Sequence, residues 1–156
     1  MKIIGIDPGT LIAGYGIIEV KNHSAIAVAA GAWKFSKEDK LPQRLFELSK
    51  EFAKIVKHYA PTHLCLELAF VAENPRSALY LGHARGVLLS CAYEFGLEIT
   101  EMSATSAKKK ITGYGRADKK TMAKTMSSLL GFNLDQLPFD ATDALGLAYA
   151  RAMSVV

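Results

Sequence analysis

The sequence comprises 156 residues, of which 50% are hydrophobic and 22% are charged, with a formal net charge of +4. This length and composition predict a single domain over residues 1–156 and argue against collagen-like, low-complexity and disordered chains. No apolar stretch reaches the roughly 18 residues of a membrane span. We therefore expect a soluble, cytoplasmic protein with no membrane partner.

The first part of the chain has the pattern of three successive strands. β-branched and aromatic residues recur over 3–6, 14–20 and 24–35, with turn-forming residues between these stretches. Links this short favour antiparallel pairing. The sequence thus predicts an antiparallel meander.

The remainder of the chain alternates helical and extended patterns. Apolar residues at spacings of three and four predict a helix over 41–59, with Pro42 in its first turn. Alternation over 63–71 predicts a strand on which Glu67 points away from three leucines. Further elements are predicted in the order helix 74–95, strand 97–102, helix 103–111, a helix ending at Gly131 and helix 140–153. This order describes an α/β fold with a mixed five-stranded sheet flanked by helices.

Four acidic residues occur where solvated charge is not expected. Asp7 ends the first strand, Glu67 lies within an apolar strand, and Asp140 and Asp143 share a helix face because three residues turn by about 300°. Clustered carboxylates need a proton or cation to neutralise them, and carboxylates without His or Cys neighbours suit Mg²⁺ or Mn²⁺. Two such ions about 3.5–4 Å apart can activate a water and stabilise the leaving oxygen of a phosphodiester.

Each acid also has a purely structural interpretation. Asp7 precedes Pro8-Gly9 and is able to cap a turn, while Asp140 and Asp143 have the spacing of a helix cap. Glu67 is harder to explain in this way, because a charged group between two leucines must face a cleft, a partner or an ion. Together the four acids favour a metal-dependent nuclease.

Basic residues are concentrated in residues 108–124, which contain seven lysines and arginines against one acid, Asp118. The rest of the chain is slightly acidic. Such separation is expected where one face meets a polyanion such as DNA, although a solvated helix face has the same composition. The candidate DNA-binding residues of this segment are Lys108, Lys109, Lys110, Arg116, Lys119 and Lys120.

Two further patterns each allow two interpretations. Phe70 follows the fourth strand, where it either stacks on a base at the rim of a cleft or packs in the core. The second helix has a stripe of small residues at spacings of four, which permits another backbone to approach closely. The stripe, defined as Ala78, Gly82, Gly86 and Ser90, faces either a second copy of the chain or the protein's own sheet.

Several motifs follow one another in order over nearly the whole chain. They are Ile4-Gly5-Ile6-Asp7-Pro8-Gly9-Thr10 with Gly14-Tyr15-Gly16, Glu67-Leu68-Ala69-Phe70, Ser77-Ala78-Leu79 through Gly82-His83-Ala84-Arg85-Gly86, Gly113-Tyr114-Gly115 through Lys119, and Asp140-Ala141-Thr142-Asp143-Ala144-Leu145. This set resembles the RuvC family of Holliday-junction resolvases. The resemblance implies an RNase H-like fold and a homodimer that makes paired, symmetric nicks across a four-way DNA junction, in recombination and DNA repair.

The resemblance also implies roles for particular residues. The family's metal carboxylates, which hold two Mg²⁺ ions in each active site, fall on Asp7, Glu67, Asp140 and Asp143. The aromatic residue that meets unstacked bases falls on Phe70, and the two basic residues near the scissile phosphate fall on Lys108 and Lys119. The branch-migration proteins RuvA and RuvB are further candidate partners. Two positions depart from the family's frequent residues, Leu68 and Ala13, and these departures concern the preferred cutting sequence rather than the chemistry.

Two other function classes are compatible with single features of the sequence. Asp7-Pro8-Gly9-Thr10 after a strand also resembles the first phosphate loop of sugar kinases and actin-like ATPases, although those proteins need two such domains. A junction-binding or RNA-associated module without chemistry would keep the fold and the basic face. Four acids near phosphates would then contribute only repulsion, which argues against such a module.

Overall fold

Five strands form one mixed sheet in the computed structural model, which describes residues 1–68, 74–131, 134 and 136–155. The strands are β1 (Lys2–Asp7), β2 (Ile12–Lys21), β3 (Ser24–Lys34), β4 (His63–Glu67) and β5 (Glu98–Met102). Their order in the sheet is β3-β2-β1-β4-β5, in which β1, β2 and β3 pair antiparallel while β4 and β5 extend the sheet in parallel. The predicted meander and mixed sheet are confirmed, but β4 ends at Glu67, earlier than the alternation predicted.

Five helices accompany the sheet within the described residues. They are α1 (Leu41–Tyr59), α2 (Pro75–Glu94), α3 (Ala104–Thr112), α4 (Lys119–Leu130) and α5 (Phe139–Ala152). The side chains of Asn74, Ser103 and Asp118 cap the starts of α2, α3 and α4 by accepting hydrogen bonds from backbone N–H groups. Gly113 and Gly131 end α3 and α4 in the left-handed conformation. As far as the described ranges extend, these helices lack the combination of length and apolarity needed to cross a bilayer.

An apolar layer covers each face of the sheet. On one face α1 and α2 pack on the strands, with Phe52, Leu64 and Leu66 fully buried. On the other face α3, α4 and α5 pack on the strands, with Cys65 and Met126 fully buried. Successive residues of β4 therefore enter opposite layers, as the alternation predicts. The residue after Leu66 consequently faces α5.

The α5 helix rests on the sheet in direct backbone contact. A Cβ atom placed on Gly5 would lie 2.7 Å from the Ala148 nitrogen, and one placed on Gly14 would overlap the Asp140 carbonyl oxygen. Glycine at these positions therefore allows α5 to approach closer than any side chain would permit. Gly14 pairs directly with Asp7 across β1 and β2. The first turn of α5 thus lies over the carboxyl end of β1.

Candidate active site

The carboxylates singled out in the sequence lie together at one end of the sheet. Asp7 and Glu67 are the last residues of two neighbouring parallel strands, β1 and β4, so both emerge at the same edge. Asp140 and Asp143 occupy the first turns of α5, which crosses this edge. All four side chains are partly exposed, whereas the α5 residues around them are mostly buried. Three separate elements thereby bring four acidic side chains to one place.

The charges of these carboxylates act strongly on one another. Burial, a hydrogen bond with the Glu67 side chain, and the negative charges of Glu67, Asp143 and Asp140 together raise the pKa of Asp7 from 3.8 to about 8. A shift in this direction is expected where carboxylates crowd in a region with little water. The site therefore favours a proton or a cation near Asp7.

A hard divalent cation fits this donor set. Carboxylate oxygens without imidazole or thiolate ligands are the preferred surroundings of Mg²⁺ and Mn²⁺. Within residues 1–68, 74–131, 134 and 136–155, no three His, Cys, Asp or Glu side chains already have the spacing of a metal centre. As placed, the four carboxylates therefore supply suitable donor atoms but do not surround a common point.

Two lysines from the basic segment face the carboxylates. Lys119, the first residue of α4, has its Nζ 3.3 Å from Asp143 Oδ2 and 5.1 Å from the centre of the Phe139 ring. Lys108 of α3 lines a small cavity together with Glu67 and Asp143. Cations beside an acidic cluster are suited to receiving a phosphate group that the acids alone would repel.

The rest of the basic segment is spread over more than one surface. Lys120 lines a groove along α4 with a volume of about 1050 Å³. Lys109 and Arg116 are exposed. Lys110 donates a hydrogen bond to the Ser154 hydroxyl, at the far end of α5 from the carboxylates. The structure therefore brings only part of the segment to the acidic cluster. Phe70 lies outside the described residues, so its role stays a prediction.

The small-residue stripe of α2 faces away from the sheet. A Cβ atom placed on Gly82 or Gly86 would meet no other described atom within 4 Å. Together with Leu45 of α1, the stripe lines a groove of about 650 Å³. Large exposed apolar side chains on these two helices are Phe46, Leu79 and Tyr93. Among the described residues, packing of the stripe on the protein's own sheet is thus not observed.

Comparison with known proteins relates this geometry to a family. The sequence model described as "Crossover junction endodeoxyribonuclease RuvC" matches residues 3–151. The chain belongs to the RuvC family. A RuvC relative from Desulfitobacterium hafniense (strain DSM 10664 / DCB-2) is 38% identical over 155 residues, which cover 99% of this chain and 94% of the relative. A RuvC relative from Caldicellulosiruptor saccharolyticus is 39% identical over 155 residues, which cover 99% of this chain and 93% of the relative.

A solved structure of the RuvC family supports the same conclusion. "T. thermophilus RuvC in complex with Holliday junction substrate" superposes with a TM-score of 0.92 at 25% identity, covering 99% of this chain and 94% of that chain. The predicted RNase H-like fold and the predicted membership of a nuclease family are therefore confirmed.

Two residues that contact members of the acidic cluster or Lys119 were given no role in the sequence analysis. The guanidinium of Arg85, from α2, donates hydrogen bonds to the Glu67 carbonyl oxygen and to the Glu101 carboxylate. The ring of Phe139, which is 63% exposed, lies against the Lys119 ammonium. Because Phe139 directly precedes Asp140 in the sequence, its position near the acidic cluster could have been predicted. Arg85 stood in one of the quoted motifs, but its role was not indicated there, since its partners are distant in sequence.

Proposed function

We propose that this RuvC-family protein resolves four-way DNA junctions by hydrolysing one phosphodiester bond in each of two symmetry-related strands. The observation that carries the proposal is the convergence of four carboxylates from β1, β4 and α5 beside two lysines. Acids that hold divalent ions, next to cations that receive phosphate, are the components that phosphodiester hydrolysis requires.

Each residue of the acidic cluster has a stated role in the proposal. Asp7, Glu67, Asp140 and Asp143 hold two Mg²⁺ ions, for which Mn²⁺ is able to substitute. When bound, the ions supply positive charge that activates a water and stabilises the leaving oxygen of the phosphodiester. The carboxylates keep these charges at a fixed place on the sheet edge, because backbone contacts hold α5 against β1 and β2.

The basic and aromatic residues bind the DNA around the cleavage point. Lys119 and Lys108 neutralise the phosphate next to the carboxylates, since both already face them. Phe70 stacks on an unpaired base at the junction. Lys109, Arg116 and Lys120 bind the surrounding phosphates, whereas Lys110, at the far end of α5, is a candidate only for phosphates farther from the cut.

A homodimer completes the proposal, because two symmetric cuts require two sites related by a two-fold axis. The small-residue stripe of α2 is the proposed interface. Gly82 and Gly86 leave open space above the helix, and large apolar side chains of α1 and α2 are exposed nearby. Residues 1–156 act in this scheme as one nuclease domain in the cytoplasm. RuvA and RuvB are proposed as further partners through the family resemblance alone.

The test is cleavage of an end-labelled, mobile four-way junction in the presence of Mg²⁺. Asp7→Asn, Glu67→Gln, Asp140→Asn and Asp143→Asn should each abolish nicking, because each keeps its shape but loses the charge of a metal ligand. Binding of the junction in metal-free buffer should be unchanged or tighter, since one repulsive charge is gone. Glu98→Gln is the matched control, because Glu98 lies at the opposite end of β5 and pairs with His63 and Arg151.

Two outcomes would overturn the proposal. Near wild-type cutting by any two of the four amide variants would show that the assigned metal site is wrong. Tight junction binding by the wild type without cutting in either Mg²⁺ or Mn²⁺ would indicate a binding module instead of a nuclease.

A further inference from the structure

Arg85 connects the helix of the small-residue stripe with the acidic cluster. Its guanidinium crosses from α2 to the sheet, where one terminal nitrogen donates to the Glu67 carbonyl oxygen and the other to the Glu101 carboxylate of β5. The Arg85 side chain is only 13% exposed, whereas that of Glu101 is 38% exposed. Because a guanidinium is planar and its donors have a fixed geometry, these two contacts restrain both partners together.

Glu67 is the last paired residue of β4, and one further backbone hydrogen bond follows it, from the Leu68 N–H to the Met102 carbonyl. Pairing between β1 and β4 extends only to Ile6 and Leu66, one residue before Glu67. On the other side, pairing between β4 and β5 ends with Glu67 and Met102. The peptide group that joins Glu67 to Leu68 is thus held on one side by Met102, and Arg85 supplies the donor to its carbonyl oxygen.

Arg85 approaches this backbone from the face of the sheet opposite the carboxylates. The Glu67 side chain lines a cavity with Lys108 and Asp143 on the α5 face, while α2 packs on the other face. Arg85 thus has access to the main chain of Glu67 and not to the reacting groups. Glu101 balances the charge of Arg85 locally. We therefore expect Arg85 to act on the acidic cluster through the position of Glu67 rather than through its own charge.

Building on the proposed function, we infer that Arg85 is a positioning residue that fixes the backbone of Glu67 and thereby orients its carboxylate for metal binding. Partners that orient metal ligands typically contribute about 10–100-fold to metal affinity or activity. Loss of Arg85 should therefore weaken metal binding without affecting contacts between the protein and DNA.

The experiment measures metal binding directly. Mn²⁺ is titrated calorimetrically into full-length wild type, Arg85→Ala, Arg85→Lys, Glu67→Gln and Arg76→Ala. Arg76 is the matched control, because it is an exposed arginine of the same helix whose side chain contacts Tyr80. Circular dichroism establishes that each variant is folded, and junction binding in metal-free buffer is measured in parallel.

The expected result is a weaker Mn²⁺ affinity for Arg85→Ala by about 10–100-fold, with junction binding and Arg76→Ala at wild-type values. The Mg²⁺ concentration for half-maximal cutting should rise by a similar factor, while the rate at saturating Mg²⁺ largely recovers. Added guanidinium ion, well below denaturing concentrations, should restore part of the affinity of Arg85→Ala. A residue that only stabilised the fold would give neither the recovery nor the rescue.

The outcomes separate this inference from the proposed function. Wild-type Mn²⁺ affinity in Arg85→Ala, together with weak binding in Glu67→Gln, would overturn the role of Arg85 and leave the metal site intact. Equal Mn²⁺ binding by wild type and Glu67→Gln would instead refute the metal site itself. If Arg85→Ala does not fold, Arg85→Lys decides, because lysine keeps the charge but lacks the two-pronged geometry. Wild-type affinity in Arg85→Lys would then overturn the inference.

Discussion

Replacing Asp7 by asparagine should stabilise the protein in metal-free buffer at alkaline pH, even though Asp7 is a proposed metal ligand. Burial, the hydrogen bond with Glu67 and the surrounding negative charges raise the pKa of Asp7 to about 8. In the unfolded chain the same carboxyl group titrates near its ordinary value of about 3.9. Ionised Asp7 is therefore disfavoured by the fold, and asparagine avoids this cost because it does not ionise.

The sign and size of the effect follow from the two pKa values of Asp7. Because the folded-state pKa of Asp7 is the higher one, its contribution to the free energy of unfolding is complete below the unfolded-state pKa. This contribution is lost as the pH rises through the folded-state pKa. Between about pH 4 and pH 8, each pH unit removes up to about 1.4 kcal/mol, which gives an upper limit of about 6 kcal/mol. Side-chain rotation relieves part of the crowding, so we expect about 1–3 kcal/mol, or about 3–10 °C in Tm.

Thermal unfolding in EDTA at about pH 5 and about pH 9 measures this difference. Asp7→Asn should melt above wild type at the higher pH, and the gap should shrink at the lower pH. Added Mg²⁺ should raise the Tm of wild type but not of Asp7→Asn, because an ion that binds only the folded state stabilises it. Asp118→Asn is the control, since the Thr121 amide lowers the pKa of Asp118 and the same change there gives no gain. An Asp7→Asn Tm equal to or below that of wild type near pH 9 would refute the crowding of the carboxylates.

Three further predictions concern contacts rather than protonation. Gly14→Ala should destabilise the fold by about 1–3 kcal/mol in chemical denaturation, because its new methyl group overlaps the α5 backbone; an unchanged midpoint would contradict that close contact. Lys119→Ala and Lys108→Ala should each reduce the slope of log K against log salt concentration for junction binding by about 0.9, whereas Lys54→Ala on α1 should not change it. Slopes equal to that of wild type would exclude the two lysines from phosphate contact. Gly86→Leu should give a folded monomer by sedimentation and lose paired nicking, because its side chain projects into open space; a folded dimer with full paired cutting would place the interface elsewhere.

The features that the sequence predicted best are those with a local physical cause. Helix α1 runs over Leu41–Tyr59, as its apolar spacing and Pro42 indicated. The acids were recognisable because each stands among apolar neighbours, where an ordinary solvated charge is not expected. Their convergence followed in part from topology, since the carboxyl ends of the parallel strands β1 and β4 meet at one edge.

The features that the sequence did not predict depend on contacts between distant residues. Spacing revealed the small-residue stripe but not its neighbour, because a period of four defines a helix face without saying what that face meets. Charge density grouped Lys110 with Lys119, yet the rotation of α3 directs Lys110 to Ser154. The contact of Arg85 with Glu67 was not predicted, because its acceptor there is a backbone carbonyl, which any residue type would offer.

The backbone contact between α5 and the sheet has a consequence for how this protein tolerates mutation. Atoms of the main chain, rather than packed side chains, set the distance between the strand that ends in Asp7 and the helix that begins before Asp140. We therefore expect exchanges among apolar residues elsewhere in the two layers to change the packed volume more than this distance. Apolar substitutions in the interior should thus have little effect on the geometry of the acidic cluster. Gly5, Gly14 and Gly16 are the exceptions, because every other residue would add a carbon atom to the contact itself.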